Sequence, residues 1–225
     1  MRPNVNLFAS SPRGLPVLSY QFFQGGPQVL ILGGVHGDEI EGVWAAQALL
    51  YRFMQNFPYR LNLTLVPEFN IEGVLERQRS NSRGVDLNRN LPTRDWTAEV
   101  LNPRYNPGPS SLSEPENMGL VQYIEQSQPR LIVSLHSWKP VLNVNGDCRP
   151  EAEVLAKLTG YSIEESIGYP TPGCLGSYAG LERKSPTITY EIERGLNASE
   201  VLRVHPPAIL EMLKITEKRN SWTTN

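Results

Sequence analysis

The 225-residue chain carries 21 basic and 23 acidic side chains, for a formal charge of -2 and a pI near 6.0, a balance that excludes a global attraction to nucleic acid or to an anionic membrane surface. No apolar run approaches the roughly 20 residues needed to span a bilayer. Cys148 and Cys174 are too few for a disulfide framework, and the opening Met1-Arg2-Pro3-Asn4 leads into no hydrophobic signal core, so the expectation is a reduced, cytoplasmic protein.

One domain over residues 1–225 is expected at this length. Val17–Gln24 and Gln28–Gly33 read as strands joined at Gly25-Gly26-Pro27, a strong turn signal. From Asp38 to Met54 the pattern is helical, with Ile40, Val43, Trp44, Leu50, Tyr51 and Met54 on one face, alanines and Leu49 filling part of the other side of a well-buried helix, and Asp38 a candidate cap. Leu61–Val66 is the next strand. Residues 67–113 are rich in Asn, Arg, Pro and Ser with little periodicity, and a loop region of that length inside a compact domain is usually functional. Glu114–Gln128 reads as a helix, Arg130–Leu135 and Val141–Val144 as strands, Glu151–Leu158 as a short helix and Pro186–Ile192 as a strand. Ser199–Val204 and Pro206–Lys218 make a closing helical segment. This alternation implies an α/β fold with helices on both faces of a sheet, whose sites gather at the carboxyl ends of strands.

The chain has three histidines, and two of them end apolar strands. His36 follows Val29-Leu30-Ile31-Leu32-Gly33-Gly34-Val35 and precedes Glu39 by three residues; His136 closes the run before Ser137. Two imidazoles and a carboxylate make a three-ligand zinc set with one position open, the pattern of catalytic rather than structural zinc. His205, beside Pro206-Pro207 with no local carboxylate, reads as a surface residue or one leading into a helix. In Arg83-Gly84-Val85-Asp86-Leu87-Asn88-Arg89-Asn90, Asn88 and Arg89 suit a carboxylate clamp. Asp86 suits the free ring N–H of a metal-bound histidine, although the same residues suit a polar turn. Glu191 interrupts the strand-like Thr187–Ile192; beside a metal it would serve as general base, and otherwise it is an outward-facing charge.

As an ordered set, His-x-x-Glu, Asp-Leu-Asn-Arg-Asn, the distant His-Ser and the late Glu resemble the zinc carboxypeptidase family over roughly residues 13 to 192. The resemblance implies a three-layer α/β/α fold with a mixed central sheet, one zinc ion on His36, Glu39 and His136, and Glu191 as catalytic base. It implies Arg79 as the oxyanion-stabilising arginine, with Arg77 and Arg83 as nearby competitors. Asn88 and Arg89 would bind the terminal carboxylate of a small peptide substrate, and Tyr169 would close over it, with Tyr178 competing in the same loop. The loop Tyr169-Pro170-Thr171-Pro172-Gly173-Cys174 through Gly180 looks most like the bacterial murein tripeptide amidases. That likeness implies hydrolysis of the γ-D-glutamyl–meso-diaminopimelate bond during cell-wall recycling.

Two rival readings accompany this one. Metal-dependent N-acyl amino acid deacylases of the succinylglutamate desuccinylase and aspartoacylase type share the ligand set and an Asp-Leu-Asn-Arg step. An inactive murein-peptide binding module is disfavoured because both the ligand and base positions are filled. Asn143, Asn145 and Asp147 are further polar candidates, against the plainer reading of a turn at Asn145-Gly146. Nothing in the sequence fixes the oligomeric state.

Overall fold

Strand periodicity sorts the apolar side chains onto two sides of one sheet. In the computed structural model, which describes residues 2–100 and 102–219, the strands are β1 (Asn4–Ser10), β2 (Pro16–Phe23), β3 (Gln28–Gly33), β4 (Asn62–Val66), β5 (Leu131–Trp138), β6 (Val141–Asn145), β7 (Ser162–Glu164) and β8 (Thr187–Glu193). They form one eight-stranded sheet in the order β1-β2-β4-β3-β5-β8-β6-β7. The centre, β4-β3-β5-β8, is parallel, while β2 and β6 run antiparallel to β4 and β8. The helices are α1 (Ile40–Gln55), α2 (Ile71–Glu76), α3 (Pro115–Ser127), α4 (Arg149–Thr159) and α5 (Ala198–Lys218).

Because successive strand residues point to opposite faces, Val29, Ile31, Val133 and Ile188 pack into one core with Ala46, Leu49 and Phe53 of α1, Leu155 of α4 and Ile209 of α5. Leu30, Leu32 and Ile132 pack on the other side with Leu120, Val121 and Ile124 of α3. The sheet is thus mixed and covered by helices on both faces, the expected three-layer arrangement. No helix among the described residues is long and apolar enough to cross a membrane.

Several local expectations are corrected. In α1, Ala45, Ala46 and Leu49 are buried as expected, together with Gly42, Val43 and Phe53, whereas Tyr51 and Met54 are exposed. Small residues win the buried face because the helix lies so close to the sheet: a Cβ on Gly42 would stand 2.6 Å from the Leu135 carbonyl oxygen. The helix starts at Ile40 with no side-chain cap, and Asp38 is engaged elsewhere. β1 and β7 were not anticipated, and the two closing segments are one helix that keeps Pro206 and Pro207 inside it. An interior proline is unfavourable by about 3 kcal/mol, and burial of Ala208, Ile209, Met212 and Leu213 opposes that loss. His205 is no surface residue: it is buried, with Nδ1 2.7 Å from the Tyr190 hydroxyl, and burial lowers its pKa to about 4.

The connection β3-α1-β4 moves to one side of β3, and the chain then returns to place β5 on its other side. Such a reversal opens a crevice beyond the strand carboxyl ends. His36 and His136 both fall there.

Candidate active site

The three proposed ligands converge. His36 Nδ1 lies 2.9 Å from Glu39 Oε1, His136 Nδ1 lies 2.9 Å from Glu39 Oε2, and the two Nδ1 atoms are 3.1 Å apart. All three side chains are buried, with ligand atoms within 4.8 Å of one another. The outer ring nitrogens are also engaged. His36 Nε2 stands 3.0 Å from Asp86 Oδ1, and a proton held there leaves Nδ1 as the nitrogen free to ligate a metal. His136 Nε2 meets Ser134 Oγ at 2.9 Å. Two inward lone pairs and a carboxylate, each ring oriented from behind, fit a zinc ion.

The turn that carries His36 and Glu39 is tightly enclosed: a Cβ on Gly37 would lie 2.1 Å from the Gly73 carbonyl oxygen. Burial alone would raise the Glu39 carboxyl, but the adjoining His36 and His136 hold it well below the usual range. Burial likewise opposes ionisation of Asp86, and His36 and Arg79 overcome it.

Glu191 sits opposite His136 in the parallel β5–β8 ladder. Its Oε2 is buried without a hydrogen-bond partner, and burial raises its pKa to about 7. A carboxylate in that state has an acceptor available for a proton and little solvation to hold its charge.

The opposite wall comes from loops. Arg79 donates from Nε to Asp86 Oδ2 at 2.8 Å and from Nη1 to Glu39 Oε1 at 3.1 Å. Its two competitors lie elsewhere: Arg77 caps α2 in a left-handed conformation, and Arg83 is exposed near Glu114. Asn88 Oδ1 accepts from Leu175 N at 2.8 Å, and Leu91 N donates to Gly173 O at 3.0 Å, tying the Asn88–Arg89 turn to the following loop. Gly173 must be glycine there: its φ is +73°, and a Cβ would meet the Arg89 carbonyl oxygen at 2.1 Å. Asn88, Arg89 and Tyr169 all line the same cleft of about 220 Å³ as His36, Glu39 and Glu191. Tyr169 is half-exposed, its ring edge-on to Trp138 at 6.1 Å. Tyr178 is fully buried under the Arg183 guanidinium in a widened helical turn, Gly176–Leu181, and does not line the cleft.

The three polar candidates after His136 separate. Asn143 lines the cleft. Asn145 packs beneath Gly176 and Gly180, and Asp147 is an exposed partner of Arg219. Sequence reasoning missed Arg104, Tyr105, Trp138 and Arg194, which also line the cleft. The Tyr105 ring lies 5.1 Å from the Arg79 guanidinium and 5.3 Å from that of Arg89. No local motif marks these four residues; only the fold gathers them.

The zinc carboxypeptidase family pattern matches residues 11–168. The chain belongs to the zinc carboxypeptidase family. It is accordingly a hydrolytic enzyme of the metallocarboxypeptidase type. It is 28% identical over 221 residues to murein peptide amidase A of Vibrio campbellii, covering 92% of this chain and 86% of that one. The Escherichia coli K12 protein of the same name is 34% identical over 161 residues, 66% of this chain and 64% of its own. The crystal structure of murein-tripeptide amidase from Escherichia coli O157 superposes with a TM-score of 0.76 at 27% identity, covering 95% and 93% of the two chains. Bovine thrombin-activatable fibrinolysis inhibitor shares the fold, with a TM-score of 0.78 at 18% identity over 96% of this chain and 90% of that one.

Proposed function

We propose that this enzyme is a zinc-dependent murein peptide amidase that hydrolyses the γ-D-glutamyl–meso-diaminopimelate bond of recycled cell-wall peptides in the cytoplasm, with residues 1–225 acting as one catalytic domain. The observation that carries the reading is the unpartnered Glu191 carboxylate opposite His136, beside three converging ligand atoms. The murein peptide amidases among its relatives support the substrate class.

His36, Glu39 and His136 hold the metal in this reading, and Asp86 and Ser134 orient the two imidazoles. Zinc, when bound, supplies a Lewis acid and lowers the pKa of water toward roughly 7. Glu191 accepts the proton of the attacking water and passes it to the leaving amine, a transfer suited to a carboxyl whose pKa lies near neutrality. Arg79, fixed by Asp86 and Glu39 and lining the cleft, stabilises the developing oxyanion in this reading. Asn88 and Arg89 bind the carboxylate of the leaving residue, and Tyr169 closes the outer wall.

The test is product identification. Zinc-loaded protein incubated with L-Ala-γ-D-Glu-meso-diaminopimelate is expected to release free diaminopimelate by mass spectrometry, and a chelator is expected to stop the reaction. Hydrolysis of N-succinyl or N-acetyl amino acids with no action on the tripeptide would sink the amidase reading in favour of a deacylase. Peptide binding without turnover would leave a binding module.

A further inference from the structure

The rim of the cleft carries two arginines that the chemistry above does not use. Arg194 follows the last residue of β8, and Arg104 lies in the short 3-10 turn Pro103–Tyr105. Both donate to one acceptor, Asp38 Oδ2, each at 2.9 Å, and Arg194 also donates to the Asp38 carbonyl at 2.8 Å. The backbone beneath them is fixed: Arg194 N donates to Trp138 O at 2.9 Å and Gly195 N to Glu41 Oε1 at 2.7 Å. The other Glu41 oxygen accepts from Ser137 Oγ at 2.7 Å. Two guanidiniums share the one Asp38 carboxylate, and Glu39 and Glu41 act on Arg194 from further off. The arginine side chains are 45% and 40% exposed against 16% for Asp38, so donors remain open on groups that line the cleft. A planar guanidinium fork matches a carboxylate.

Position along β8 indicates which half of the substrate this site meets. Thr189 and Glu191 share one strand face, and Asn143 pairs with Thr189 across the β6–β8 ladder, so that pair forms the inner floor. Arg194 lies three residues beyond Glu191 in the outward direction, roughly 10 Å along an extended chain. With the leaving residue's carboxylate on Asn88 and Arg89, the acyl half of the substrate extends past Glu191 toward the rim.

We propose that Arg104 and Arg194 form a second carboxylate site, which binds a free carboxylate on the acyl-side residue of the scissile amide. A γ-glutamyl amide has that chemistry, because its side chain carries the bond and its α-carboxylate stays ionised. An ordinary α-linked peptide lacks it, since the α-carboxyl is itself the acyl group. The assignment rests on the amidase reading and names what the enzyme recognises in the acyl half.

The experiment compares two tripeptides that differ only at the acyl residue, one γ-D-glutamyl and the other its α-carboxamide. Wild-type enzyme is expected to favour the acid by about tenfold in kcat/KM. In R104Q and in R194Q, each of which leaves Asp38 one cationic partner, the acid-to-amide ratio is expected to fall toward one, through KM rather than kcat. Equal kcat/KM for the two peptides in wild type overturns the rim site alone. So does an equal loss on both peptides in the variants, which would mark the arginines as general supports of the cleft. Cleavage of neither peptide overturns the amidase reading together with this one.

Discussion

The two walls of the cleft are built by different means. His136 and Glu191 stand on adjacent parallel strands, where a hydrogen-bonded ladder sets their separation and two cores hold the strands from either side. Arg79, Asn88 and Arg89 stand on chain with little regular structure, held by side-chain hydrogen bonds. Asn81 alone accepts from Arg83 N and Val85 N and donates to the buried Glu114. Asn90 donates to Pro107 O and Ser110 O and accepts from Glu114 N. On the proposed mechanism the contrast is a division of labour: the sheet positions the groups assigned to metal and proton, and the amide-stitched loop those assigned to substrate.

Replacing His136 with Ala removes a strand-borne ligand and should give the largest effect, loss of bound zinc and at least about 1,000-fold in kcat. Metal analysis beside the assay checks it, and full activity at stoichiometric zinc would break the strand half of the comparison. Glu191→Gln should keep zinc and lower kcat by about 100- to 10,000-fold with little change in KM. Arg89→Ala should act in the other sense, with KM rising by about 10- to 100-fold and kcat falling less. A matched fall in kcat with KM unchanged would erase the distinction between the walls.

The loop wall also has a pH signature. Glu116, buried beside Asn81 and Glu114, has its pKa raised to about 7, chiefly by burial and further by Glu114 and Glu72. A folded-state value above the unfolded one of about 4.3 means that the folded form binds more protons, so this group's support is full below that range and is lost as pH rises through 7. Glu116→Gln should therefore leave stability nearly unchanged near pH 4 and raise it at pH 8 by on the order of 3 kcal/mol. Denaturant titrations at the two pH values test this, and equal shifts at both would contradict it. Tyr169→Phe should have the smallest effect, under about fivefold in kcat/KM, because the half-exposed ring keeps its packing on Trp138 without the hydroxyl.

The strand-borne half was legible in the sequence because an apolar run ending in histidine is a local signal, and two such runs imply neighbouring strand ends. The loop half was legible only as motifs. Asn81 and Asn90 looked like turn formers, and their role as cross-links depends on partners such as Glu114 that sequence spacing does not reveal. Arg104 and Arg194 reach Asp38 across 66 and 156 residues of chain, so no pattern announces them. Tyr51 and Met54 of α1 are exposed against expectation because the helix meets β5 through Gly42 and the neighbouring alanines, where close approach leaves little room for large side chains. His205 was misjudged for a related reason: two prolines signal a helix boundary, but packing carries the helix through them.

The pairing of His136 with Glu191 has a consequence for how this enzyme can change. Their spacing is set sideways, across a ladder, and does not depend on the route the chain takes between them. The exposed stretch ahead of Gly173, which carries Tyr169, can be lengthened, shortened or exchanged while the proposed metal ligand and base stay in place. On the proposed roles, substrate choice is in that sense detachable from catalysis, and a transplant of residues 166–172 from a relative is the natural way to redirect the enzyme without rebuilding its chemistry.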